Sequence, residues 1–157
     1  MPANLRNKKN GRASDHFLDE RFQKWLADAK ATPKGLDALL EDSRRLTEQL
    51  LEENEQGKRI RYFEQSVAQL LRSCFPTPTK PEEIKIELWK GHSYEIFGAW
   101  DKALSAYQRV IELGDSEEFT SQKAQAHRWR GHIQVMQNRF VEGLKSHEES
   151  LKLTRES

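Results

Sequence analysis

The sequence predicts an all-α protein built from helix pairs, and three observations lead to that prediction. Hydrophobic residues make up 36% of the 157 residues and charged residues 32%, a balance typical of helices that each expose half of their surface to water. Apolar residues recur at helical spacing, and no stretch alternates cleanly as a strand would. Two segments near the end of the chain repeat at an offset of forty residues, a period typical of stacked helical repeats.

The composition argues against several classes of protein. No run of apolar residues approaches the ~20 that a membrane-spanning helix needs, and the N-terminal residues lack the apolar segment of a signal peptide. The single cysteine, Cys74, permits neither an internal disulfide nor a thiolate zinc cluster. We therefore expect a cytoplasmic protein with no membrane association. A net charge of +1 gives no overall attraction to nucleic acid.

Four regions follow one another along the chain. Residues 1–13 are basic and nearly without large apolar side chains, so we expect a mobile basic arm. Helical spacing predicts an N-terminal helix within 14–35. A helical hairpin is predicted over 36–80, with its first helix ending near Gly57. Residues 81–157 contain the two repeated segments.

The repeated segments begin at Trp89 and Trp129 and share a pattern of small and aromatic residues. Each is predicted to form two antiparallel helices joined by a tight turn, where Gly98 and Asn138 tolerate a positive φ. Small residues let the two helices approach closely, and large rings fill the space beside them. The residues predicted to pack in this way are Gly91, Tyr94, Gly98, Trp100, Ala103, Tyr107, Gly131, Phe140 and Gly143.

Through these residues the chain resembles the tetratricopeptide repeat (TPR) family, in its long-period variety of about forty residues. The first segment matches the family's order and spacing of small and aromatic residues, while the second has Gln134 and His147 where aromatics are usual. The resemblance covers about residues 84–156. It implies antiparallel helix hairpins stacked as a short right-handed solenoid, preceded by N-terminal helices.

The hairpin over 36–80 lies one further period upstream, and two interpretations of it remain open. It is either a degenerate first repeat or an unrelated helical hairpin. Leu51 and Phe63 stand where the later segments have small residues, which disfavours close approach of its two helices.

The resemblance also implies a function, because the first helix of each TPR lines a concave groove that holds an extended peptide or a partner helix. We therefore expect a non-catalytic protein–protein interaction module, an adaptor or assembly factor. Carried over residue by residue, the groove positions are Lys85, Leu88, His92, Glu95 and Ile96 in the first segment, and Gln125, Arg128, His132, Val135 and Met136 in the second.

The charge pattern suggests the chemistry of the partner. No acidic residue lies between Phe119 and Val141, so the helix in this stretch carries a basic face formed by Lys123, Arg130 and Arg139 beside Arg128. Such a surface suits a partner protein with an acidic segment. The alternative is that these are ordinary solvated charges.

Residues for catalysis or metal binding are not evident in the sequence. It contains no Gly-rich phosphate loop, no Gly-x-Ser-x-Gly and no His-Glu-x-x-His, and Cys74 lies on an apolar stripe typical of a core thiol. The five histidines never lie four residues apart; His92 and His132 hold equivalent positions, but further metal ligands are lacking. We expect no enzyme activity, no cofactor and no metal.

Two other functions are compatible with the sequence. One is a nucleic-acid-associated factor that uses the basic arm and the basic face. The other is self-association, because the final helix is predicted to leave an apolar face without a capping helix.

Overall fold

A computed structural model describes residues 20–30 and 35–156, apart from the side chains of residues 53 and 156. The described residues form seven α-helices and no strand, which confirms the predicted all-α class. The helices are α1 (residues 20–30), α2 (Leu36–Leu50), α3 (Gln56–Cys74), α4 (Lys80–Ile96), α5 (Trp100–Leu113), α6 (Thr120–Met136) and α7 (Phe140–Glu156). The predicted arm over 1–13 and the predicted start of the first helix lie outside the described residues.

The chain divides into two compact units, Met1–Pro76 and Thr77–Ser157. This division falls four residues before the predicted boundary at residue 80, in the proline-containing segment that separates α3 from α4. In neither unit is a described helix long and apolar enough to cross a membrane.

The first unit has its core among the apolar stripes of α1, α2 and α3. The ring of Phe22 meets Tyr62 edge-on, with 6.4 Å between centroids, and Leu40 and Phe63 are fully buried. The acidic residues of α2 are largely paired within the helix: Arg44 contacts Glu48 and Arg45 contacts Glu41.

The predicted end of α2 near Gly57 is wrong. The helix ends at Leu50, and Leu51 is extended and buried. Arg59 accounts for this position, because its Nε donates to the Leu51 carbonyl at 2.9 Å and supplies a partner at the helix C-terminus, where intrahelical donors run out. Gly57 lies in the first turn of α3. If this hairpin repeated the later segments, the forty-residue offset would place the counterpart of the turn at 97–99 at residues 57–59. Those residues are helical in the structure.

In the second unit α4 packs on α5, α5 on α6 and α6 on α7. A capping box starts α4, with Thr79 and Glu82 each accepting a hydrogen bond from the other's backbone N–H. The turns that end α4 and α6 lie where predicted, and both contain the expected left-handed residue: Gly98 has φ 77° and Asn138 has φ 64°.

Close helix packing occurs at the predicted small residues. A Cβ built on Gly91 would lie 2.4 Å from Cε1 of Tyr107, whose side chain is fully buried. In the second pair a Cβ on Gly143 would lie 2.7 Å from Cγ2 of Val135, and one on Gly131 would lie 3.0 Å from the carbonyl of Gly143. The absence of a Cβ therefore sets the separation of both helix pairs.

One predicted packing residue is not buried. Phe140 is 60% exposed, whereas Trp100, its counterpart in the first segment, is half-buried. The reason is that α5 packs against both α4 and α6, while α7 packs chiefly against α6. The outer face of α7 consequently exposes Val141, Leu144 and Leu151 as well.

Gly91→Ala tests this packing. We expect the substitution to lower the free energy of unfolding by about 1–3 kcal/mol, because the added methyl must displace the buried ring of Tyr107. Gly57→Ala is the matched control, since a Cβ there meets no atom within 4 Å, and it should stabilise α3 by up to ~1 kcal/mol. Urea unfolding measures both. Equal stability of Gly91→Ala and the wild type would contradict the assignment of Gly91 as a packing position.

Candidate functional site

The sequence-predicted groove residues occupy one helix of each pair in the second unit, α4 and α6. Most are exposed: Lys85, Ile96, Gln125, Arg128, His132, Val135 and Met136. Three apolar members of this set, Ile96, Val135 and Met136, are 51%, 38% and 50% exposed. Apolar side chains exposed to this extent beside polar neighbours are typical of a protein interaction surface.

Leu88 differs from the other predicted groove residues. It is only 9% exposed and belongs to the core, so it contributes to packing and offers little surface to a partner. The resemblance that placed Leu88 among the groove positions does not reveal how far neighbouring side chains cover it.

Trp129 connects α4 to α6. Its indole meets His92 of α4 edge-on at 5.2 Å between centroids and His132 of α6 at 6.1 Å. The guanidinium of Arg128 lies 5.7 Å from the centre of the same ring, within the range of a cation–π contact. The two equivalent histidines thus flank one tryptophan. We name His92, Arg128, Trp129 and His132 the Trp129 cluster.

Beneath this cluster the hydroxyl of Tyr107 lies 2.9 Å from Nδ1 of His92 and interacts with the Glu95 carboxyl. Burial lowers the pKa of His92 and raises the pKa of Glu95, a shift that Tyr107 and His132 oppose. Burial, together with the nearby Glu95, raises the pKa of Tyr107. The Tyr107 phenol therefore keeps its proton at neutral pH, and His92 is biased towards the neutral ring.

Glu95 has one carboxylate oxygen, Oε1, that is buried without a hydrogen-bond partner. A buried oxygen in that state is an acceptor that a neighbouring donor would stabilise. Among the predicted groove residues, Glu95 is the acidic one, and Lys85 and Arg128 are basic.

The second helix pair does not repeat this arrangement. His147 stands in the place of Tyr107, and Val135 stands in the place of Glu95 and packs on Gly143. The polar group formed by His92, Glu95 and Tyr107 consequently has no equivalent in α6 and α7, where the ring of His147 lies beside Gly131 and the backbones of Gly131 and Gly143 approach closely.

The predicted basic face is not one surface, because Arg130 is built into the packing. Its Nη1 donates to Oε1 of Gln108 at 2.7 Å, its Nε to Oγ of Ser146 at 3.2 Å, and its Nη2 lies 3.1 Å from Nδ1 of His127. Arg130 therefore joins α6 to both α5 and α7. Sequence alone could not separate it from Arg128, which lies over Trp129.

The two remaining members of the predicted basic face lie in different environments. Arg139 is exposed and forms an ion pair with Glu142, three residues along α7. Lys123 is half-buried. Of Lys123, Arg128, Arg130 and Arg139, Arg128 is the one that belongs to the Trp129 cluster.

Within residues 20–30 and 35–156, no group of three or more His, Cys, Asp or Glu side chains is arranged to hold a metal ion. Cys74 is a free, half-buried thiol at the end of α3. Comparison with protein-family models, with curated proteins and with solved structures gave no match.

The pH dependence of stability tests the environment of His127. Burial, and secondarily the charge of Arg130, lower the pKa of His127 from 6.5 to about 4. Between these values the unfolded chain binds more protons than the folded chain, so stability should fall as the pH decreases through this range.

His127→Gln removes this titration while retaining an acceptor for Arg130. We expect the wild type to lose about 1–2 kcal/mol more than the variant between pH 7 and pH 5, measured by urea unfolding at each pH. Parallel curves for the two proteins would show that His127 is not held neutral in the fold.

Proposed function

We propose that this protein is a non-catalytic interaction module, an adaptor or assembly factor, whose second unit is a short right-handed solenoid of TPR-like helix hairpins. It binds a peptide or helix of a partner protein along the exposed faces of α4 and α6. The observation that carries the proposal is the contact of His92 with Trp129, which joins the two helices that hold the groove positions.

The composition of this face supports the proposal. The apolar residues Ile96, Val135 and Met136 are exposed beside polar groups of both helices. Interfaces commonly combine an apolar centre with a polar rim, and methionine adapts well to differently shaped partners. The rings of His92, Trp129 and His132 already pack on one another, so these side chains lose little conformational entropy when a partner binds.

The charges of this face favour a partner with an acidic segment. Lys85 on α4 and Arg128 on α6 are both exposed. The guanidinium of Arg128 lies over the ring of Trp129. Exposed charges of this kind contribute chiefly to association rate and selectivity. The apolar residues supply most of the binding free energy.

Paired substitutions test which face binds the partner. The double variant Ile96→Asp with Met136→Asp should reduce capture of partner proteins from native extract about tenfold or more, because it places charges in the apolar centre. The matched control is Val141→Asp with Leu144→Asp, which alters apolar residues of α7 that are at least as exposed. Quantitative mass spectrometry compares the captured proteins. Equal losses with both double variants would contradict binding through α4 and α6.

Arg128→Glu adds an electrostatic arm to the same experiment. Partners with acidic segments should be lost selectively, and the wild-type interaction should depend only moderately on salt. If the binding constant instead fell by about 0.9 logarithmic units per tenfold increase in salt for each duplex phosphate contacted, the ligand would be nucleic acid.

Self-association is the second candidate function, and the exposed apolar face of α7 favours it. Val141, Leu144 and Leu151 are 70%, 59% and 56% exposed at spacings of three and seven residues, as in a helix that packs against another helix. Sedimentation velocity over a range of concentrations should then show a dimer that Leu144→Asp dissociates. A monomer at every concentration would exclude this function.

A further inference from the structure

A groove in the second unit collects three arginines that the candidate binding face does not use. It is a shallow, open depression of about 420 Å³, lined by Arg109 of α5, Arg130 of α6 and Arg139 of the turn between α6 and α7. The only carboxylate in its lining is Glu112. We call it the arginine groove. The lining thus holds three guanidinium groups and one carboxylate, while Glu142 pairs with Arg139 and Glu149 acts on Arg130 from outside the lining.

The polar groups of the groove are arranged as donors. Gln108 and Gln134 both line it, and the amide oxygen of each is already engaged, by Arg130 at 2.7 Å and by Ser146 at 2.7 Å. Gln108 is exposed, so its amide nitrogen is left to bond with a ligand, whereas Gln134 is buried. Arg130 uses three of its N–H groups in the contacts described above, and a guanidinium has five.

The other two arginines can change partners at little cost. Arg109 forms an ion pair with Glu112 at 3.8 Å within α5, and Arg139 forms one with Glu142 at the start of α7. In each pair the two residues are exposed and lie three positions apart in the sequence. Pairs of this kind contribute little to stability. Arg130, in contrast, is fixed between α5 and α7, so one guanidinium of the groove is positioned before any ligand arrives.

These features match a phosphate group better than a single carboxylate. A phosphate monoester carries about −1.5 to −2 charges at neutral pH and has three acceptor oxygens, whereas one bidentate arginine satisfies a carboxylate. We propose that the arginine groove binds a dianionic phosphate group, as a phosphorylated side chain or as a free phosphate ion. This site uses other residues than the face of α4 and α6 and would extend the protein's interactions to phosphorylated ligands.

The test follows the Nε–Hε resonances of the arginines by NMR while the full chain is titrated with O-phosphoserine at constant ionic strength. Arg109, Arg130 and Arg139 should shift together and Arg128 should not. Arg109→Gln and Arg139→Gln should each weaken binding about fivefold. Both residues are exposed, so these variants avoid the packing role of Arg130. Arg128→Gln is the matched control and should bind as the wild type does.

Two further titrations separate the ligand chemistries. Aspartate should produce much smaller shifts, because each of its two carboxylates carries only one negative charge, whereas the phosphate group carries nearly two. Inorganic phosphate should shift the same resonances; weaker binding than O-phosphoserine assigns the site to a phosphorylated side chain, and equal or tighter binding assigns it to the free ion. Equal effects of aspartate and O-phosphoserine, or unchanged affinity in both arginine variants, would overturn the proposal.

Discussion

The second unit depends on the contact between Gly91 and the ring of Tyr107. No Cβ fits between α4 and this ring, so the absence of a side chain at Gly91 lets Tyr107 occupy the space between α4 and α5 fully buried. The ring brings its hydroxyl to His92, and His92 in turn supports Trp129 on the next helix pair. A packing requirement within one hairpin is thereby coupled to the placement of the following hairpin and to the candidate binding face.

The two hairpins of this unit use small residues in different ways. At Gly91 the space receives the ring of Tyr107 alone. At Gly131 it receives the ring of His147, and there the backbones of Gly131 and Gly143 approach as well, with Val135 packed on Gly143. The first arrangement brings a carboxyl group, an imidazole and a phenol together below an exposed surface. The second leaves Val135 and Met136 exposed and apolar. The proposed binding face therefore combines polar groups from α4 with apolar groups from α6.

The sequence predicted the helices and turns of the second unit well, because Gly98 and Asn138 mark positions where the backbone needs a positive φ. It placed the end of α2 too late, since the capping of that helix by Arg59 is a contact between helices and leaves no local signal. Phe140 was predicted to pack because it corresponds to Trp100 in the first segment, but this correspondence does not show which neighbours cover α7. Arg130 and Arg128 are both basic residues of α6 in the sequence, yet packing separates their environments.

The contact between His92 and Trp129 is the most direct test of this account, because it holds α4 and α6 together at the proposed binding face. Nuclear Overhauser effects measured on the full chain should connect the ring protons of His92 with the indole protons of Trp129, whose centroids lie 5.2 Å apart. His132 should give weaker effects to the same indole at 6.1 Å. Effects from Trp129 to His132 without any to His92 would contradict the account, because α4 and α6 would then not share one surface.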